Sequence, residues 1–128
     1  MLIDDNEIDN FINQKMLEAA GFADQVFVHT SGRSALEFLM NLDKAGAALA
    51  QMKPEFIFLD INMPLMDGFQ FAEEFEKLSE AFKTGIKIAV LTTSMNPADK
   101  QQSEKFQSIV QFVSKPLTEE AMGNLGKL

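Results

Sequence analysis

Apolar and polar positions alternate in two rhythms along this chain. Short, mostly apolar runs recur at Leu2-Ile3, Val26 to Val28, Phe56 to Leu59 and Ile86 to Leu91, and across Ile109, Val110, Phe112 and Val113. Each reads as a strand. Between them, apolar residues return at helical spacing. Ile8, Phe11, Ile12 and Met16 mark a first helix over about Asn6 to Ala20, closed by Gly21. Ser31 is placed to cap a second helix, with Ala35, Leu36, Leu39 and Met40 on its inner face. Lys53-Pro54 breaks the chain before the third strand. Phe71, Phe75 and Leu78 stand at i, i+4 and i+7 of a third helix. Asn96-Pro97 predicts an N-cap and a proline at the first position of a mostly polar fourth helix. Thr118-Glu119-Glu120 opens a short fifth helix, with acids where the helix dipole favours them. Met122, Leu125 and Leu128 keep helical spacing there, although Gly123 and Gly126 weaken it.

The order is therefore strand then helix, five times over. Apolar strands separated by helices imply an α/β domain with a parallel sheet covered on both faces. The Rossmann-type and flavodoxin-type strand orders share one rule: sites lie at the carboxyl ends of strands, where the order reverses. For the expected flavodoxin-like order 2-1-3-4-5, that place is between strands one and three.

Composition narrows the picture. The 128 residues are 46% apolar and 23% charged, as in an ordinary globular domain. No repeat, low-complexity tract or linker divides them, so residues 1–128 are expected to form one domain with no output domain attached. A net charge of −8 argues against nucleic acid, whose binding rests on Lys and Arg. No apolar run approaches the length of about 18 residues that a membrane span needs. No secretory leader is visible, so the expected compartment is the cytoplasm. With no cysteine and only His29, thiolate metal sites, histidine-rich zinc sites and a Ser-His-Asp triad drop out.

The strand ends carry the chemistry. The first ends in Asp4-Asp5, the third in Asp60, the fourth in Thr92-Thr93-Ser94 and the fifth in Ser114-Lys115-Pro116. Three carboxylates, a hydroxyl run and a lysine would meet at one mouth. Carboxylates that close repel, and one would take up a proton unless a cation intervened. Mg²⁺ suits such a site, because it takes oxygen ligands from one or two carboxylates and a phosphate. A carboxylate held by Mg²⁺ and lysine can attack phosphorus and form an acyl phosphate. The two cations would neutralise charge on the transferred oxygens, and Thr92 could donate its hydroxyl to one of them. Asp5 has a second reading as helix N-cap, since Asp5-Asn6-Glu7 opens a helix. Asp67 in MDG reads as a turn or cap residue. His29 reads as structural.

The segments LIDDNEID, FIFLDINMPLMDGF, IAVLTTS and FVSKPLT, in this order, resemble the receiver domain of two-component response regulators (CheY-like). The resemblance covers essentially the whole chain. It implies that Asp60 accepts a phosphoryl group, that Asp5 binds Mg²⁺ directly and that Asp4 acts mainly through a metal-bound water. It implies that the Asn62 backbone carbonyl completes the metal set and that Lys115 pairs with the phosphoryl group. Thr92 would move toward that group and Phe112 would turn inward as the aromatic switch. The Lys115-Pro116 bond would be cis. The fourth helix, fifth strand and fifth helix would form the switched face.

Implied partners are a sensor histidine kinase or histidine phosphotransfer protein and a downstream protein. The chain would act as a monomer or as a phosphorylation-dependent dimer, away from nucleic acid and membranes. It would be a signalling phosphoacceptor rather than an enzyme, with slow self-phosphorylation and self-dephosphorylation. Three features depart from the family. Strand one has few residues before the acidic pair, where the family usually has several apolar ones, which puts the stability of this central strand in question though not the motif. Thr93 is bulkier than is common and would narrow access to Asp60. Ser94 is short where other members carry longer polar groups.

A phosphatase of the haloacid-dehalogenase type also uses a strand-end aspartate and Mg²⁺, but it places a general acid two residues on, where this chain has Asn62. A flavodoxin-type FMN binder needs a hydroxyl-rich phosphate loop, and DDNEID would repel phosphate. A degenerate receiver acting only as a binding module would be expected to lack part of the motif set.

Overall fold

A computed structural model describes residues 1–93 and 96–128. The expectation for Ser94 therefore lies outside the described residues. In chain order the elements are β1 (Leu2–Ile3), α1 (Glu7–Ala19), β2 (Val28–His29), α2 (Gly32–Ala45), a 3₁₀ segment (Gly46–Met52), β3 (Phe56–Asp60), α3 (Gly68–Glu76), α4 (Glu80–Lys83), β4 (Lys87–Thr92), α5 (Pro97–Ser103), β5 (Ile109–Ser114) and α6 (Glu119–Leu125). The strands pair in parallel in the order β2-β1-β3-β4-β5, the flavodoxin-like arrangement expected.

The helix starts follow side-chain chemistry. Ser31, Asp67, Asn96 and Thr118 each accept a backbone N–H at the head of α2, α3, α5 and α6. Asp67 forms a capping box with Gln70, which settles it as a cap. Two elements escape sequence reading. The 3₁₀ segment has no buried residue to set a period. The single-turn α4 is too short to show one, although Ser79 caps it and Phe82 is buried. The fourth and fifth predicted helices are thus α5 and α6. Strand β2 is also shorter than Val26 to Val28 suggested, because β1 offers only Leu2 and Ile3 as partners.

Strand alternation divides the core into two layers. Ile3, Ile57, Leu59 and Ile88 pack against Ala35, Leu39, Phe71 and Phe75 of α2 and α3. Leu2, Phe58, Ala89, Leu91 and Val113 pack against Leu17 of α1 and Met122 and Leu125 of α6. Met40 lies 40% exposed, and Leu42 takes the buried place on α2.

Helix α1 reverses the usual amphipathic logic. The stripe that marks it in sequence faces solvent: Ile8, Phe11 and Ile12 are 70%, 62% and 41% exposed. Its buried residues are Asn10, Asn13 and Leu17. The first half of α1 lies over the polar end of the sheet, where backbone groups need partners. Asn10 Nδ2 donates to the Asp4 carbonyl at 2.7 Å, and Asn13 Oδ1 accepts from Leu117 N at 2.9 Å. Only Leu17, with Met16 beside it, joins the apolar layer.

Gly68 sets how closely α3 approaches the end of β3. A Cβ there would lie 2.7 Å from the Asp60 carbonyl oxygen and 2.8 Å from Ile61 Cα, both backbone atoms. Gly68→Ala should therefore lower stability by about 1–3 kcal/mol, the usual cost of overpacking. A urea unfolding midpoint equal to wild type would show that the backbone yields freely there.

Candidate functional site

The site lies at the carboxyl edge of β1, β3, β4 and β5. The Asp4, Asp5 and Asp60 carboxylates have oxygens that all lie within 4.8 Å of one another. Asp4 and Asp60 are buried, at 4% and 7% exposure, while Asp5 is exposed. The capping reading of Asp5 is overturned by its neighbour. Asn6 is the N-cap of α1, its Oδ1 accepting from Ile8 N and Asp9 N. Asn6 N in turn donates to Asp4 Oδ1 at 2.9 Å. Asp5 does not cap α1 and stands at the exposed rim of the acidic cluster.

Lys115 holds the cluster together. Its Nζ lies 2.6 Å from Asp4 Oδ2, 3.0 Å from Asp9 Oδ2 and 3.5 Å from Asp60 Oδ1. Burial works against its charge, but the hydrogen bonds to Asp4 and Asp9 and the charge of Asp60 outweigh it, so its pKa is raised. Its backbone N donates to the Thr92 carbonyl at 2.9 Å, and the Lys115-Pro116 bond is cis. Asn13, through Leu117 N, ties down the chain just beyond.

Thr92 is buried at the end of β4, just past Leu91, which is in register with Asp60. Phe112 is half-buried and packs with Phe106 and Ile109 against Ile61, Phe69 and Val90. Asn62 is exposed, and its backbone N–H donates to the Asp60 carboxylate. Thr93 is exposed and lines a shallow cleft of about 180 Å³ with Asp9, Ile12, Asn13, Lys115 and Pro116. That places it beside the lysine. His29 sits apart, bonded to Ser34 Oγ and tilted against Phe38.

Sequence motifs overlooked three residues. Asp9, Asn10 and Asn13 all lie on the inner edge of α1, where they hold Lys115, the Asp4 carbonyl and Leu117 N. Their spacing at i, i+1 and i+4 within one helix, on the side away from the apolar stripe, is a signal that was present.

The donor set suits a hard divalent cation. Three carboxylates with a single ammonium in contact carry an excess of negative charge, and all donors are oxygens. The excess shows in Asp60, whose pKa is raised from 3.8 to about 6. Burial is the main cause, then the charge of Asp4; Lys115 and the Asn62 N–H pull the other way.

The folded protein thus binds a proton at Asp60 more tightly than the unfolded chain does. Stability from this group is full below about pH 4 and is lost as pH rises through about 6. In chelator, Asp60→Asn should melt above wild type at neutral pH, and the difference should vanish below about pH 4. Mg²⁺ should narrow that gap at neutral pH, because protons no longer compete for the ligands. A melting difference independent of pH would refute the burial account.

Three kinds of comparison agree with this geometry. The family model for the response regulator receiver domain matches residues 1–125. A two-component response regulator from Cytophaga hutchinsonii superposes with a TM-score of 0.86 at 32% identity, over 98% of this chain and 91% of that one. The protein PilH of Pseudomonas aeruginosa is 28% identical over 123 residues, covering 95% of this chain and 88% of PilH. The sensor histidine kinase CheAY of Helicobacter pylori is 32% identical over 127 residues. This chain spans 14% of that kinase and 6% of the hybrid signal transduction histidine kinase L of Dictyostelium discoideum. Among the described residues, no helix is long and apolar enough to cross a membrane. The chain belongs to the response regulator receiver domain family.

Proposed function

We propose that this receiver takes a phosphoryl group onto Asp60 from a phosphorylated histidine of a sensor kinase or phosphotransfer protein. The observation that carries this reading is Lys115, whose ammonium joins Asp4 and Asp60 within one buried acidic cluster. An Asp60 carboxylate oxygen attacks phosphorus, the phosphorus–nitrogen bond breaks, and the imidazole leaves with its electron pair and takes a proton. The product is an acyl phosphate on Asp60. Asp4, Asp5, Asp60 and the Asn62 carbonyl would hold Mg²⁺, which when bound supplies positive charge for the phosphoryl oxygens. Lys115 pairs with one phosphoryl oxygen and the Thr92 hydroxyl donates to another. Water attacking the same phosphorus later restores Asp60.

The output is a shift between two conformations of the α5, β5 and α6 face, with Phe112 turning as Thr92 moves. A partner protein that favours one conformation reads the state. The chain then serves as a phosphoacceptor in signalling rather than as a turnover enzyme. Asn62 supports this, since it supplies no general acid two residues past Asp60.

The phosphodonor would dock on the exposed stripe Ile8, Phe11 and Ile12. The same helix carries Asp9, which touches Lys115, so a protein seated there lies at the mouth of the site.

Two measurements test the reading. Intact mass after incubation with acetyl phosphate and Mg²⁺ should show one added phosphoryl group, absent with EDTA and absent in Asp60→Asn. Label surviving in Asp60→Asn would end the assignment. The paired change Ile8→Ala, Phe11→Ala should slow transfer from a histidine phosphotransfer protein that labels wild type, by about tenfold or more. Uptake from acetyl phosphate should stay as in wild type. Equal losses from both donors would remove the docking role.

A further inference from the structure

Lys115 is held by one carboxylate more than the receiver motifs require. Its two hydrogen bonds go to Asp4 at 2.6 Å and Asp9 at 3.0 Å, while Asp60 stands off at 3.5 Å. Asp9 lies outside the acidic cluster that faces a cation, which comprises Asp4, Asp5 and Asp60. It is also firmly placed. Its backbone N–H is bonded to the Asn6 cap, and the next residue, Asn10, is bonded to the Asp4 carbonyl. Asp9 therefore approaches the ammonium from α1 and from outside the cluster that contains the acceptor.

A lysine ammonium has three N–H donors. A phosphoryl group on Asp60 would bring strong anionic acceptors, and Lys115 would have to turn toward them. Asp4 can exchange the lysine for a cation. Asp9 is no part of that set and keeps its claim on Lys115.

We propose that Asp9 is a positioning residue that tethers Lys115 away from Asp60, favours the unphosphorylated state and weakens the hold of the site on a phosphoryl group. This rests on the reading of Asp60 as phosphoacceptor. The tether acts through the lysine, so its effect depends on Lys115 being present.

The test is a calorimetric titration with beryllofluoride at saturating Mg²⁺, on wild type, Asp9→Asn, Asp9→Glu, Lys115→Ala and the double variant Asp9→Asn, Lys115→Ala. Asp9→Asn should bind about fivefold tighter than wild type, a charge-assisted bond discounted for partial exposure. Asp9→Glu, which keeps the charge, should return toward wild type. In the Lys115→Ala background the Asp9→Asn effect should vanish, a coupling that general disturbance of α1 would not produce. Lys115→Met replaces Lys115→Ala should the latter not melt cooperatively. Unchanged or weaker binding by Asp9→Asn, with wild type binding normally, would overturn the tether alone. Tightening that persists without Lys115 would overturn it too, in favour of simple repulsion of the anion. Failure of wild type itself to bind would overturn the acceptor reading and the tether together.

Discussion

Like charges crowded at the end of a parallel sheet are the constraint on which the rest of this structure turns. Two buried carboxylates, Asp4 and Asp60, sit within reach of each other and of Asp5. Water cannot screen them there, so an unpaired arrangement would protonate or come apart. The Lys115 ammonium makes it tenable, bridging β1 and β3 from the end of β5. Its position is set by backbone as much as by charge. The Thr92 carbonyl takes its N–H, and Asn13 takes the N–H of Leu117 two residues on.

That need explains the odd face of α1. A helix packed on the middle of a sheet buries apolar residues. The first half of α1 packs on the edge where the charges are. There an apolar contact would leave the Asp4 carbonyl and Leu117 N unpaired, at a cost of about 1–3 kcal/mol each. Asn10 and Asn13 meet both groups. The apolar stripe is displaced outward, where the core gives no reason for it. On the proposed reading, Ile8, Phe11 and Ile12 are there for the phosphodonor that seats on them.

The strand order and the convergence of Asp4, Asp5, Asp60, Thr92 and Lys115 were legible in sequence because both follow from position. An apolar strand that ends in a polar residue delivers that residue to the carboxyl edge, whatever the details of packing. The caps Ser31, Asp67, Asn96 and Thr118 were legible for a similar local reason. The orientation of α1 was not. Period alone cannot tell a stripe that faces the core from one that faces a partner, and Asn carries no weight in a hydrophobic pattern. The role of Asp5 depended on which neighbour capped α1, and Asn6 and Asp5 are equally good caps by type. Asp9 escaped because it lies within a helix, where no strand end delivers it to the carboxyl edge. The single turn of α4 was too short for any period to show.

On the proposed reading, the same crowding connects the acidic mouth to the strand that carries Phe112. Asp60 carries a pKa raised to about 6, so the site holds its charge under strain. A cation would relieve that strain, and a phosphoryl group on Asp60 would restore it in another form. Lys115 must then divide its donors among Asp4, Asp9 and the new anion. Its backbone is bonded to Thr92, and Thr92 pairs in register with Ser114 of β5. Two positions before Ser114 stands Phe112, half-buried against Phe69 and Val90. On that reading, a change in where the ammonium points would reach the strand that carries the aromatic ring through this hydrogen bond and strand pair. On the proposed reading, the ion pair that makes the folded site tolerable is also the contact that phosphorylation must rearrange. Stability of the resting state and readiness to switch are then opposed in a single side chain.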